Sequence, residues 1–174
     1  MARKATKAAD NVYYKARIKA ASTNDKLNSR EGAAESIGID RTRLARIELD
    51  SICAYPEEVL MMADIYNAPE LENYFCCEQC PIGKHSVPHI EVLEMDRITI
   101  QIVSSLENIN EVKKELLDIT EDGIITEDER PKLEHIVKTL DKIELESREL
   151  KLWVQKNFGE KGVLNSDRCK KCNS

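Results

Sequence analysis

The residues of this 174-residue chain best suited to chemistry are six cysteines and a short run of arginines. Five of the cysteines fall into two groups, Cys76, Cys77 and Cys80 in CCEQC, and Cys169 and Cys172 in CKKC. Two residues between cysteines let both thiolates of a pair reach one tetrahedral ion. In a protein of the cytosol such pairs point to metal rather than to disulfides. The expectation is a zinc site ligated from Cys76, Cys77, Cys80, Cys169 and Cys172. The alternatives are an iron–sulfur cluster, for which Cys80-Pro81 is a suitable dipeptide, a local set of Cys77, Cys80, His85 and His89, and reduced thiols with no metal. Lys170 and Lys171 would lower the neighbouring thiol pKa values, which adds a thiol switch. Cys53 stands alone and is expected to be a small core residue.

The arginines sit in SREGAAESIGIDRTRLARIELD, Ser29 to Asp50. This reads as two short helices and a tight turn. Gly38 can take the left-handed backbone of a sharp helix stop, and Asp40 can cap the helix that follows. Ala33, Ala34 and Ile37 mark the buried face of the first helix, Leu44 and Ile47 that of the second, and Ile39 the corner. That is the spacing of a helix-turn-helix, whose second helix enters the DNA major groove. Arg41, Thr42, Arg43 and Arg46 lie off the apolar stripe, where guanidinium forks can meet guanine edges or phosphates. Arg30 is placed near a phosphate.

REGAAESIGIDRTRLARIE resembles the lambda-repressor/Cro-type helix-turn-helix of the xenobiotic-response-element (XRE) class. Residues 11–83 together are similar to XRE regulators of Gram-positive bacteria and their mobile elements. The resemblance implies a five-helix DNA-binding domain and transcriptional control. Gly32 and Ala33 are smaller than the residues usual there in that family.

The elements that must position these residues are helical. Charged residues make up 33% of the chain, aromatics 5%, and Gly and Pro are few, a composition of helices rather than of a β-sandwich or a disordered chain. There is no apolar run of membrane-spanning length and no secretory leader pattern, so a cytoplasmic protein is expected. Residues 1–46 hold eleven Lys/Arg against five Asp/Glu, and the remainder fifteen against twenty-seven. A basic head can meet phosphates that an acidic body would repel. Arg3, Lys4 and Lys7 form a basic arm that either follows the DNA backbone or is a frayed terminus.

Helix one is expected from near Ala8 to Ala21, packing through Val12, Ala16 and Ile18, with Tyr13 and Tyr14 on different faces. Pro56 opens a helix buried through Val59, Leu60, Ala63 and Ile65. A short helix from Pro69 to Phe75 closes a DNA-binding domain at 1–75, and 76–89 is a Cys/His-rich junction. From 90 to 158 apolar residues recur at threes and fours: Met95, Ile98, Ile102, Ser105, Ile109, Val112, Leu116 and Ile119, then Leu133, Ile136, Leu140, Ile143, Ser147, Leu150 and Val154. This is a long antiparallel helical hairpin, reversed at Asp122-Gly123 and capped by Thr126 and Glu129. Ile100, Val103, Leu106 and Leu117 on one arm, and Leu145, Leu152 and Trp153 on the other, are left over. They predict that the hairpin packs on a second copy, as a homodimer, the alternative being that it packs on the DNA-binding domain of the same chain. Asp118 to Glu129 also fits the spacing of an EF-hand calcium loop. Residues 159–174 form a tail carrying the second cysteine pair.

The expected protein is therefore all-α: a five-helix lambda-repressor-like domain followed by a helical hairpin. Its expected function is a sequence-specific transcriptional regulator, a dimeric repressor binding double-stranded DNA. The alternative is a protein-interaction adaptor, of antitoxin or anti-repressor type, with the helix-turn-helix as scaffold. No membrane partner is expected. No enzyme is expected either, since nothing in the sequence forms a nucleophile motif or a phosphate-cradling loop.

Overall fold

A computed structural model of the chain describes residues 8–121, 123–124 and 126–159. It is all-α, with no strand among the described residues. Two compact units divide between His89 and Ile90.

In the first unit α1 (Val12–Ala20) leads through a 3-10 turn (Asp25–Asn28) into α2 (Arg30–Ile37), α3 (Arg41–Glu48), α4 (Pro56–Ile65) and α5 (Glu70–Tyr74). A π-turn (Phe75–Gln79) and a one-turn α6 (Gly83–Ser86) follow. Local chemistry sets the boundaries. Helix α1 begins at Val12 rather than near Ala8 because Asn11 caps it, its Oδ1 accepting the Tyr14 N–H at 2.9 Å. The Asn11 amide also donates to the Ile47 carbonyl (3.0 Å) and to Asp50 (2.7 Å), which ties the helix start to the end of α3. Ser29 caps α2 through the Gly32 N–H, and Asp40 caps α3 through the Arg43 N–H, both at 3.0 Å. Gly38 ends α2 with φ +82°, a backbone that residues bearing a Cβ rarely adopt.

One core joins these helices: Tyr13, Leu27, Ala33, Ala34, Ile37, Leu44, Ile47, Val59, Met62, Ala63, Tyr66 and Leu71 are buried in it. The small residues of α2 have a packing reason. A Cβ on Gly32 would stand 2.3 Å from the Lys26 carbonyl oxygen, so only glycine lets α2 close on the 3-10 turn. Three expectations fail here. Ile18 and Leu60 are exposed, because the core takes Tyr13, Arg17 and Ala20 from α1 and Val59, Met62 and Ala63 from α4. Cys53 is also exposed rather than packed in the core. The cysteine stretch, expected as a structured junction, falls within the first unit, where Tyr13 donates its hydroxyl to Gln79 at 3.1 Å.

In the second unit α7 (Met95–Glu107) and α8 (Ile109–Ile119) form a 25-residue bent helix, broken at Asn108, and it packs against α9 (Arg130–Phe158). The arms run antiparallel, with Ser105 meeting Glu146 and Glu115 meeting His135. Gly123, at φ +74°, lies in the reversal. Asp122 lies outside the described residues. The first arm buries Ile98, Ser105, Val112 and Ile119 as its spacing predicts, while Met95 and Leu116 are exposed. The second arm departs from its pattern. Ile136 is buried, Leu140 is exposed, and beyond it the deepest residues are Glu146, Glu149 and Leu152 rather than Ser147, Leu150 and Val154.

Candidate nucleic-acid interface and cysteine cluster

Helix α3 faces the core with Leu44, Ile47 and Glu48 and turns Arg41, Thr42 and Arg46 to solvent. Thr42 and Arg46 are four residues apart, so they lie one above the other on the outward side. The remaining two arginines of the expected set are held by this chain's own carboxylates.

Arg30 binds Glu48, Nε to Oε2 at 2.6 Å. Glu48 is fully buried and takes a second guanidinium, from Arg17, with Nε on Oε1 at 2.5 Å and Nη2 on Oε2 at 3.1 Å. Arg17 is itself buried, and its Nη1 donates to the Leu27 carbonyl at 2.8 Å. One carboxylate thus clamps α1, α2 and α3 together. The sequence reading missed Arg17. Its signal was an arginine on the apolar side of α1, four residues after Tyr13. The buried Tyr66 hydroxyl has no hydrogen-bond partner, and burial, with the nearby Glu48 charge, pushes its pKa well up.

Arg43 forms the second clamp. Its Nε and Nη2 both donate to Glu58, Nη2 at 2.8 Å, and its guanidinium lies 4.1 Å from the centre of the Tyr55 ring. Glu58 also accepts the Tyr55 N–H at 2.7 Å. Burial acts to raise the Glu58 pKa, but the Arg43 hydrogen bonds, the Tyr55 N–H and the Arg43 charge outweigh it and the carboxyl is held low. The same pairing raises Arg43. Arg43 therefore anchors the start of α4 to α3, and the outward face of α3 consists of Arg41, Thr42 and Arg46.

Cys76, Cys77 and Cys80 are half-buried free thiols. The Gly83 N–H donates to Cys80 Sγ at 3.5 Å, and Cys77 Sγ lies 3.6 Å from the Tyr74 carbonyl. The turn is tight: a Cβ on Gly83 would meet the Cys76 carbonyl oxygen at 2.1 Å. Burial raises the pKa of Cys76, helped by Cys80 and Glu72, and that of Cys77, helped by Glu78. Both shifts favour the protonated thiol, and a metal bound there would displace the proton. Among the described residues no three His, Cys, Asp or Glu side chains stand together as a metal-holding set. The local set of Cys77, Cys80, His85 and His89 is not assembled, and both histidines are exposed. Cys169 and Cys172 lie outside the described residues, as do Arg3, Lys4 and Lys7, so only one half of the four-cysteine zinc site or of the cluster alternative falls within them. Of the stretch that fits the calcium-loop spacing, Asp122 and Ile125 lie outside the described residues. Glu129 turns back to accept from Thr126, at 2.9 Å from N and 2.8 Å from Oγ1, and Thr120 bonds the Leu116 carbonyl.

No family model, curated protein or solved structure matches this chain. Among the described residues no helix is long and apolar enough to cross a membrane.

Proposed function

We propose that the first unit is a five-helix, lambda-repressor-like DNA-binding domain and that the chain is a sequence-specific transcriptional regulator acting as a repressor. One observation carries the reading: the capped pair α2–α3 buries Leu44, Ile47 and Glu48 and leaves Thr42 and Arg46 aligned outward, with Arg41 at the helix start. A helix presented this way fits the major groove. An arginine there can fork onto guanine, and a threonine can contact a thymine methyl or a base edge. The excess of basic residues in the first 46 positions supplies the sequence-independent attraction to phosphates.

The clamps change the division of roles. Arg46 and Thr42 read bases, Arg41 meets a phosphate or base at the helix start, and Arg30 and Arg43 hold the frame. A gel shift on DNA from upstream of the protein's own gene tests this. Arg46→Ala should lower affinity for the preferred sequence by about 1–3 kcal/mol while sparing scrambled DNA. Equal, salt-labile binding of both DNAs by the unaltered protein would reject it. The adaptor reading keeps one observation in its favour, the exposed apolar residues of the bent helix. Zinc bound by the two cysteine pairs stays a proposal that metal analysis of the purified protein decides.

A further inference from the structure

The seam between α7 and α9 holds a row of buried acceptors without donors. Glu146 is 3% exposed and Glu149 6%, yet Oε2 of each has no hydrogen-bond partner. Gln101 Oε1, on α7, is unmet as well. The register brings the three together. Ser105 donates to Glu146 Oε1 at 2.9 Å. The arms run antiparallel, so a turn back on α7 from Ser105 is Gln101, and a turn onward on α9 from Glu146 is Glu149. Ile98 and Leu152, buried and apolar, come one turn further along the same seam.

The charges facing this layer do not balance it. On α9, Lys142 comes no nearer than 3.8 Å to Glu146 Oε1, and its side chain is 56% exposed. On α7, Arg97 attracts Glu149, while Glu91, in the segment before α7, offers its N–H and opposes with its carboxylate. Burial, with the Glu91 and Glu146 charges, outweighs that N–H and Arg97 and holds the Glu149 pKa above its ordinary value. A bound metal ion does not fit, since among the described residues no three ligating side chains stand together. An ionised carboxylate only accepts, whereas a protonated one also donates. Two neighbouring buried carboxylates remove both deficits by sharing one proton, because the O–H of one is the donor the other lacks. We propose that the α7–α9 seam is a proton-binding site, in which Glu149 holds one proton and shares it with Glu146, and that this proton latches α9 onto α7. Its loss leaves two anions side by side against apolar neighbours, stripped of hydration. The latch is closed at lower pH and loosens as pH rises through the titration of the pair. It lies wholly within the second unit and does not depend on the DNA reading.

Carbon-13 NMR of the full chain, labelled in the glutamate side-chain carboxyls, tests it. The Glu146 and Glu149 signals, assigned by their absence from Glu146→Gln and Glu149→Gln, should titrate together with a midpoint above the ordinary glutamate value of about 4.3. Amide hydrogen exchange along α9, corrected for its intrinsic dependence on pH, should quicken as pH passes that midpoint, with no such step in α1. Glu149→Gln should lose the step, because its amide supplies an N–H in place of the O–H. Two carboxyls titrating independently in the ordinary range would overturn the shared proton. An α9 step absent from the unaltered protein, or retained in Glu149→Gln, would overturn the latch.

Discussion

The two units bury their charges in opposite ways. In the first, every oxygen of the buried Glu48 is met by a guanidinium, and that of Glu58 by Arg43 and an N–H. In the hairpin, Glu146 and Glu149 are 3% and 6% exposed, and one oxygen of each has no hydrogen-bond partner. Gln101 Oε1, on the facing arm, is likewise unmet. Ser105 donates to the other Glu146 oxygen at 2.9 Å, and Lys142 approaches it only to 3.8 Å. A buried acceptor without a donor forfeits its hydration for nothing. The carboxylates Glu48 and Glu58 of the first unit are thus fully met, although its buried Tyr66 hydroxyl is not, whereas the hairpin is a two-helix piece with a thin core, buried carboxylate oxygens without donors and exposed apolar residues on one flank. The unit whose buried carboxylates are all paired is the one proposed to read DNA, and the hairpin is where buried carboxylate oxygens stay without donors.

Breaking the closed network should have the largest effect. Glu48→Gln leaves Arg17 and Arg30 without their shared charge. Removing one partner of a buried pair typically costs about 3–5 kcal/mol, so thermal melting followed by circular dichroism should show the first unit largely unfolded. An unchanged melt would mean the clamp is ornamental. Gly32→Ala should come next, at about 1–3 kcal/mol as for other forced overpacking, because the Lys26 carbonyl is backbone and cannot swing aside. Asn11→Ala should cost about 1–2 kcal/mol through the lost cap together with its bonds to Ile47 and Asp50.

The smallest effect has the opposite sign and lies in the hairpin. Burial, with Glu91 and Glu146 nearby, raises the Glu149 pKa against the Glu91 N–H and the Arg97 charge. A raised pKa means the folded state holds its proton longer than the unfolded one. Stability from this group is therefore full below the ordinary glutamate range and is lost as pH rises through the folded value. Glu149→Gln should make the hairpin melt less dependent on pH between 4 and 7 and raise it slightly at neutral pH. A melting point lowered at neutral pH would show that the ionised carboxylate is wanted there. Glu58 runs the other way: its depressed pKa gives stability present at neutral pH and lost in acid, and Arg43→Ala should remove that acid sensitivity.

Much of the first unit was legible because its signals are local. Ser29, Asp40, Gly38 and Pro56 act within a turn of where they stand, and the alternation of Ala33, Ala34, Ile37, Leu44 and Ile47 follows helical period. What was not legible depends on residues far apart in sequence. That Arg17 and Arg30 meet on Glu48, and that Arg43 is held by Glu58 and not free for a base edge, are facts of tertiary pairing, and an arginine on a helix surface reads the same in either case. The second arm of the hairpin misled because its apolar residues occupy more than one stripe. Leu145, Leu150, Leu152, Trp153 and Val154 allow several seams, and the one adopted carries Glu146 and Glu149 inward. The cysteine spacing was visible, yet spacing alone did not say that CCEQC would be wound into a π-turn against Gly83.

Sequence reading by α3 is tested by selecting bound duplexes from a random DNA pool, run in parallel with the unaltered protein and Arg46→Ala. One motif of two related half-sites should be enriched, centres about 34 Å apart or a multiple of that, with preference lost at the Arg46-contacted position in the variant. A pool that emerges without a motif, or the same motif at full strength from Arg46→Ala, would contradict it.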